Sequence, residues 1–114
     1  MKRILAILCV GLSVTACTSM SEADWNNSKA ILQGSPAIKR DTINDCIARQ
    51  RKEPLAERKS DAAFVNASLA DAPKVFCERM IKAWASGRIT YKDYLSLSAS
   101  NADISKVILI MQGK

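Results

Sequence analysis

The sequence predicts an all-α fold, a small helical bundle pinned by one disulfide between Cys46 and Cys77. Three observations carry that reading. Phe76, Cys77, Met80, Ile81, Ala83 and Trp84 share one arc of a 3.6-residue period, while Lys74, Glu78, Arg79 and Lys82 take the other. Two capping-box patterns, Ser21-Glu22-Ala23-Asp24 and Thr90-Tyr91-Lys92-Asp93, mark helix starts. The apolar residues follow helical spacing, with Gly34, Pro54 and Gly87 as punctuation.

In chain order, the first helix opens at Ser21 and ends near Gly34. Ser35-Pro36 restarts the chain, with Ser35 as N-cap and Pro36 at the first helical position. This second helix runs to about Lys52 with Ile38, Ile43, Cys46 and Ile47 on a broad apolar face, and Pro54 ends or kinks it. Residues 49–59, rich in charge, read as an exposed connection. Ala62 to Ala70 is small and apolar, and is expected to be well buried. Asp71-Ala72-Pro73 caps a fourth helix that stops at Gly87, with Cys77 inside its apolar arc. Thr90 opens a short helix with Tyr94 and Leu95 inward. Ile104, Val107, Ile108 and Met111 recur at i, i+3, i+4 and i+7, which predicts a last helix capped by Asn101; five apolar residues in a row from Val107 also suit a terminal strand.

The 114 residues allow one domain. With 48% of them hydrophobic and only three prolines and four glycines, the chain is neither disordered nor collagen-like. Its start is an address. Lys2 and Arg3 precede an apolar run from Ile4 to Leu12, about half the length that spans a bilayer, as in a secretory signal. Val14-Thr15-Ala16-Cys17 follows: a branched apolar residue, two small ones, then cysteine. The segment resembles the lipobox of bacterial lipoproteins. That resemblance implies cleavage before Cys17, lipidation of its sulfur and acylation of the new N-terminus by a palmitate-type chain; Val14-Thr15-Ala16 also fits ordinary signal cleavage after Ala16. The expected organisation is a signal peptide over 1–16, a short lipidated tether over 17–21 and a helical domain over 22–114. Thr18 is not the aspartate that retains lipoproteins at the inner membrane, so the resemblance implies the outer membrane, with the domain in the periplasm or at the cell surface. Multiple acyl chains give the stable anchoring that one cannot.

Removing residues 1–16, which hold Lys2, Arg3 and no acid, leaves 15 basic against 11 acidic residues, a net charge of +4. Cys9 leaves with the signal and Cys17 takes lipid, so Cys46 and Cys77 are the remaining pair. Beyond the inner membrane such a pair reads as a disulfide, worth ~3–4 kcal/mol for a loop of this length; two free buried thiols are the rival reading.

No histidine is present, which removes the usual proton shuttle and the commonest metal ligand. Two cysteines supply half a zinc shell, and phosphate loops and EF-hand spacing are absent. Asp41 and Asp45 stand at i and i+4 beside Lys39, Arg40 and Arg49, a pattern typical of solvated charge. The expectation is a chain that is not an enzyme and needs no metal or cofactor. Nucleic acid is excluded by compartment.

Candidate interaction residues are few. Arg49, Arg51, Lys52, Arg58 and Lys59 form a basic cluster suited to anionic headgroups or an acidic partner, interrupted by Glu53 and Glu57. Leu109 and Ile110 do not fit the Ile104/Met111 face and are the expected partner stripe. Trp25 lies eight residues after Cys17, a tether reaching at most ~29 Å; it reads as membrane-proximal, in the headgroup region, or as packed on Ile31 or the core. Gly87-Arg88-Ile89-Thr90-Tyr91-Lys92-Asp93-Tyr94 resembles the turn of the short C-terminal domain hairpins of bacterial envelope proteins, which end their chains, whereas here another helix follows. The early Trp25 followed by Cys46 is similar to one family of exclusion lipoproteins of conjugative elements. That family spaces its second cysteine differently, so no residues carry over.

The expected function is a non-catalytic interaction or assembly module in the bacterial envelope. It would be held to membrane lipid through acylated Cys17 and would meet a protein partner or a second copy of itself. The alternative is a protective inhibitor lipoprotein, conferring immunity against a periplasmic toxin or conjugal exclusion.

Overall fold

The computed structural model describes residues 19–114. They form six helices with no strand among the described residues: α1 (Glu22–Gly34), α2 (Pro36–Arg51), α3 (Leu55–Val65), α4 (Ala72–Ser86), α5 (Tyr91–Ser96) and α6 (Ser105–Met111). The expected signal segment over 1–16 and the expected lipidation site Cys17 lie outside the described residues. None of the described helices is long and apolar enough to cross a membrane.

The capping chemistry of the sequence sets most boundaries. Ser21 Oγ accepts from the Asp24 N–H at 3.1 Å, opening α1. Ser35 serves two helices at once. Its N–H donates to the Ile31 carbonyl at 3.0 Å to close α1, and its Oγ accepts from the Ile38 N–H at 3.2 Å to open α2. Thr90 and Asp93 make the full reciprocal box on α5. Gly87, at φ 83°, ends α4 in the left-handed conformation that glycine adopts at no steric cost.

Helix α4 is the hub, packing against α1, α2, α3 and α6. Its packing against several neighbours accounts for the burial of Ala72, Pro73, Cys77, Ile81, Ala83 and Ala85 along it. Between α3, α4 and α6 lies one core layer built on Val65, Ala72, Val107 and Met111, with Phe64, Phe76 and Met80 packed on it. A second layer joins Trp25, Ala83, Ile89 and Ile110, and a third joins Leu32, Ile81 and Ala85. Cys77 is completely buried on α4 and bonds to half-buried Cys46 on α2 across a Cα–Cα distance of 5.8 Å, within the disulfide range. That bridge ties together the two longest helices.

Several local expectations are corrected. The link between α2 and α3 is only residues 52–54, because helix claims both flanks of the charged run. Residues 62–70 are not buried as a block. α3 stops at Asn66 in the left-handed conformation at φ 60°, and only Ala62 and Val65 of the segment are buried. Small side chains there offer too little apolar area to hold the following turn inside. The Asp71 carboxylate makes no capping bond; Ser68 Oγ instead accepts from the Asp71 N–H. Leu95 is exposed while Tyr94 turns inward. Ile38 is exposed as well, since α2 meets the bundle along a narrower stripe than its sequence suggests. Asn101 does not cap the last helix. Asp103 accepts from the Ser105 N–H at 2.9 Å and from its hydroxyl, and that local turn delays α6 to Ser105.

Candidate functional site

Four aromatic rings from three helices converge at one end of the bundle. Trp25 of α1 stacks on Trp84 of α4 at a centroid distance of 4.7 Å and on Tyr94 of α5 at 5.0 Å. Tyr91 closes the group, 6.1 Å from Trp25 and 5.9 Å from Tyr94. Each spacing falls in the favourable range for offset or tilted rings. The sequence places them there by simple means: the Ser21 cap sets Trp25 on the inward face of α1, the α4 arc presents Trp84, and the Thr90 box starts α5 in register for both tyrosines.

The tyrosine hydroxyls do something else. Tyr94 Oη accepts from the Met20 N–H at 2.7 Å, and Tyr91 Oη donates to the Met20 carbonyl at 2.9 Å. Both main-chain polar groups of Met20 are therefore held, and the chain leading into α1 is clamped to the domain.

Beside the clamp opens an apolar cavity of about 290 Å³, partly open to solvent. Met20, Phe64, Phe76, Met80, Trp84 and Leu97 are among its lining residues, all apolar or aromatic. The Trp84 indole N–H is buried with no acceptor among the described residues. Burying most of a tryptophan ring gains about 4 kcal/mol, against about 1–3 kcal/mol for the missing bond, so apolar packing dominates here.

The residues expected at a site from sequence are dispersed. Trp25 is buried at 6% exposure, so it does not lie free at a headgroup layer; three aromatic neighbours offer it more contact than an interface would. Ile110 is corrected in the same way. At 5% exposure it belongs to the core with Trp25 and Ala83, whereas Leu109 is 48% exposed. A helix rotates 100° per residue, so two adjacent apolar residues near the edge of its core face can separate in this manner.

The basic cluster does not form one patch. Arg49 and Arg51 are two positions apart on α2 and point to different sides of it. Arg58 is half-buried with its Nε enclosed and unbonded, while Lys52 and Lys59 are exposed. An acidic row, Glu53, Glu57 and Asp61, runs through the same region at four-residue spacing. A hydrogen bond to Glu53 and repulsion from it, with smaller effects of burial and Asp61, push the Glu57 carboxyl above its usual range. Burial, then the Glu53 charge, raises Asp61. Mutual acid repulsion of this kind leaves the region mixed in sign. Asp41 and Asp45 are both exposed on α2. Among the described residues no three acidic, cysteine or histidine side chains converge to hold a metal ion.

Tyr91, Tyr94 and Met20 were not singled out as a unit from sequence, because contacts across more than 70 positions leave no local signature. In comparisons with protein-family models, curated proteins and solved structures, the chain matches none.

Proposed function

We propose that this protein is an outer-membrane-anchored lipoprotein, held by acylated Cys17 and acting as a non-catalytic interaction or assembly module close against the bilayer. The clamp on Met20 is the observation that supports this reading. If Cys17 carries the anchor, only Thr18 and Ser19 separate it from a point fixed to the folded domain, a reach of at most ~11 Å over three Cα–Cα steps. A domain so tethered cannot extend far from the membrane plane. Its partner is then another membrane-adjacent protein, and the exposed Leu109, bordered by Arg88, Lys106 and Lys114, is the surface offered to it.

The test is photo-crosslinking in cells from a photoreactive residue at position 109 of the full-length protein, with membrane fractionation and intact mass of the purified product. The expected result is an acylated protein in the outer-membrane fraction, crosslinked to one discrete envelope protein. A soluble, unacylated product overturns the anchoring. Crosslinks to a secreted toxin or to mating machinery replace the assembly reading with that of a protective inhibitor.

A further inference from the structure

We propose that the apolar cavity beside Met20 is an acyl-chain site and that its occupant is one of the hydrocarbon chains carried by this protein's own Cys17. This rests on the lipoprotein reading above. Size is the first argument. Apolar cavities of about 150 Å³ already take a six-carbon ring, so about 290 Å³ accepts on the order of a dozen carbons. That is most of one fatty chain and too little for a two-chain lipid. Chemistry is the second. The lining carries aromatic, Leu, Ile, Val and Met side chains, and its sulfur-bearing members Met20, Met80 and Met111 adapt to a flexible ligand better than branched residues do.

Position decides which chain. Met20 is itself part of the wall, and its backbone is fixed there by Tyr91 and Tyr94. Cys17 is three positions upstream, so at full extension an acyl chain on its amine starts roughly 11 Å from the Met20 backbone and the chains on its sulfur a few ångströms farther. A free fatty acid or a partner's side chain would have to find the cavity by diffusion, while the protein's own chain is delivered to it at high effective concentration by a short tether. With one chain folded back, the remaining two still give stable anchoring. Lipidation would thereby act on the domain itself, stabilising the Trp25–Trp84–Tyr94 cluster.

Trp25 and Trp84 are the only tryptophans in the chain, and both border the cavity, which makes them the reporters. The full-length protein is produced in a Gram-negative host fed a brominated fatty acid, purified in unbrominated detergent, and checked by intact mass. The expected result is at least twofold quenching of tryptophan fluorescence relative to protein from unbrominated cultures. Leu97→Arg, a change at a half-exposed lining residue, should abolish that quenching while leaving helicity intact. Protein that is acylated but unquenched overturns the cavity assignment and leaves the lipoprotein reading standing. Unacylated protein overturns both. Equal quenching in Leu97→Arg and the parent would put the bromines elsewhere and also overturn the assignment. If the Cys17→Ser protein takes up free brominated acid with the same quenching at stoichiometric concentration, the site belongs to free fatty acids instead.

Discussion

The Arg79 guanidinium of α4 donates to the Met111 main-chain carbonyl at 2.7 Å, across 32 positions of sequence. The same nitrogen donates to the Val65 carbonyl at 2.8 Å. Arg79 thus neutralises the carbonyl ends of α3 and α6 together, where the helix dipoles are negative. Gly113, at φ 83°, lets the chain pass over the guanidinium; a Cβ there would lie 2.9 Å from Nη2. A seven-residue helix such as α6 has little stability of its own. We predict that Arg79→Met costs about 2 kcal/mol, since it removes two charge-assisted bonds. In a domain of this size that lowers the thermal midpoint by roughly 8–16 °C. Hydrogen exchange should accelerate first in α6. An unchanged midpoint would mean that water serves these carbonyls equally well.

The disulfide provides the second prediction. Cys46→Ser releases residues 46–77 and strands the Cys77 thiol in a fully buried position. The expected loss is about 3–4 kcal/mol from chain entropy. Thermal unfolding of the variant should match that of the parent in strong reductant, because both lack the bridge. A variant as stable as the oxidised parent would show that the α2–α4 packing alone suffices.

The clamp on Met20 is tested by removing its hydroxyls. Tyr91→Phe with Tyr94→Phe keeps the ring stacking and deletes two bonds worth about 1 kcal/mol each. Global stability should fall by about 1–2 kcal/mol, whereas amide exchange at Met20 and Ser21 should rise far more, since fraying there no longer breaks tertiary bonds. Loss of the whole fold would instead make the hydroxyls part of the core.

Asp93 contributes to the acid limb, as does Asp103, whose carboxyl the Ser105 hydroxyl and N–H hold below its usual range. Burial by itself would raise its carboxyl, but the Lys106 ammonium at 2.6 Å and the Thr90 N–H and hydroxyl outweigh that and hold it below the usual aspartate value. A depressed folded value means stability that is complete above the unfolded pKa of about 3.9 and is lost as pH falls through the folded one. Glu57 and Asp61 act oppositely. Their raised values contribute stability present below the unfolded pKa and lost as pH rises through the folded one. Asp93→Asn should therefore lose about 1 kcal/mol at pH 7 and show a flatter decline between pH 5 and 3 in chemical denaturation. Asp61→Asn should gain slightly at pH 7. A parallel decline of Asp93→Asn and the parent would sever the link between the box and acid sensitivity.

What the sequence made legible is what local chemistry controls. The α4 arc, the Ser35-Pro36 restart, the Gly87 stop and the Thr90 box all act within about five residues, and each stands where its pattern places it. Pairing of Cys46 with Cys77 was expected because the signal and lipobox reading leaves these two as the remaining cysteines. Arg79, by contrast, looked like any solvated cation on a polar arc, because its acceptors come from two other helices. Trp25 was ambiguous for a related reason. A tryptophan near a membrane anchor and one near a helix start have the same neighbours in sequence, and only α4 and α5 decide between them. The cavity could not be read at all, since it is a gap left where five helices, all but α2, fail to meet.

Leu109 supplies the last prediction. It is 48% exposed on α6, flanked by buried Val107, Ile110 and Met111, so its side chain projects from the one face of that helix the core does not use. Arg88, Lys106 and Lys114 border the same shallow surface with Asp103, giving an apolar point inside a mainly cationic rim. Leu109→Asp should change stability by no more than about 0.5 kcal/mol, as expected for an exposed position. The crosslink formed from a neighbouring position such as Lys106 should nevertheless disappear, because a carboxylate would be desolvated at the centre of the contact. Leu109→Met, which keeps the apolar volume, should preserve it. If Leu109→Asp unfolds the domain, the side chain belongs to the core, and the partner surface lies elsewhere on the bundle.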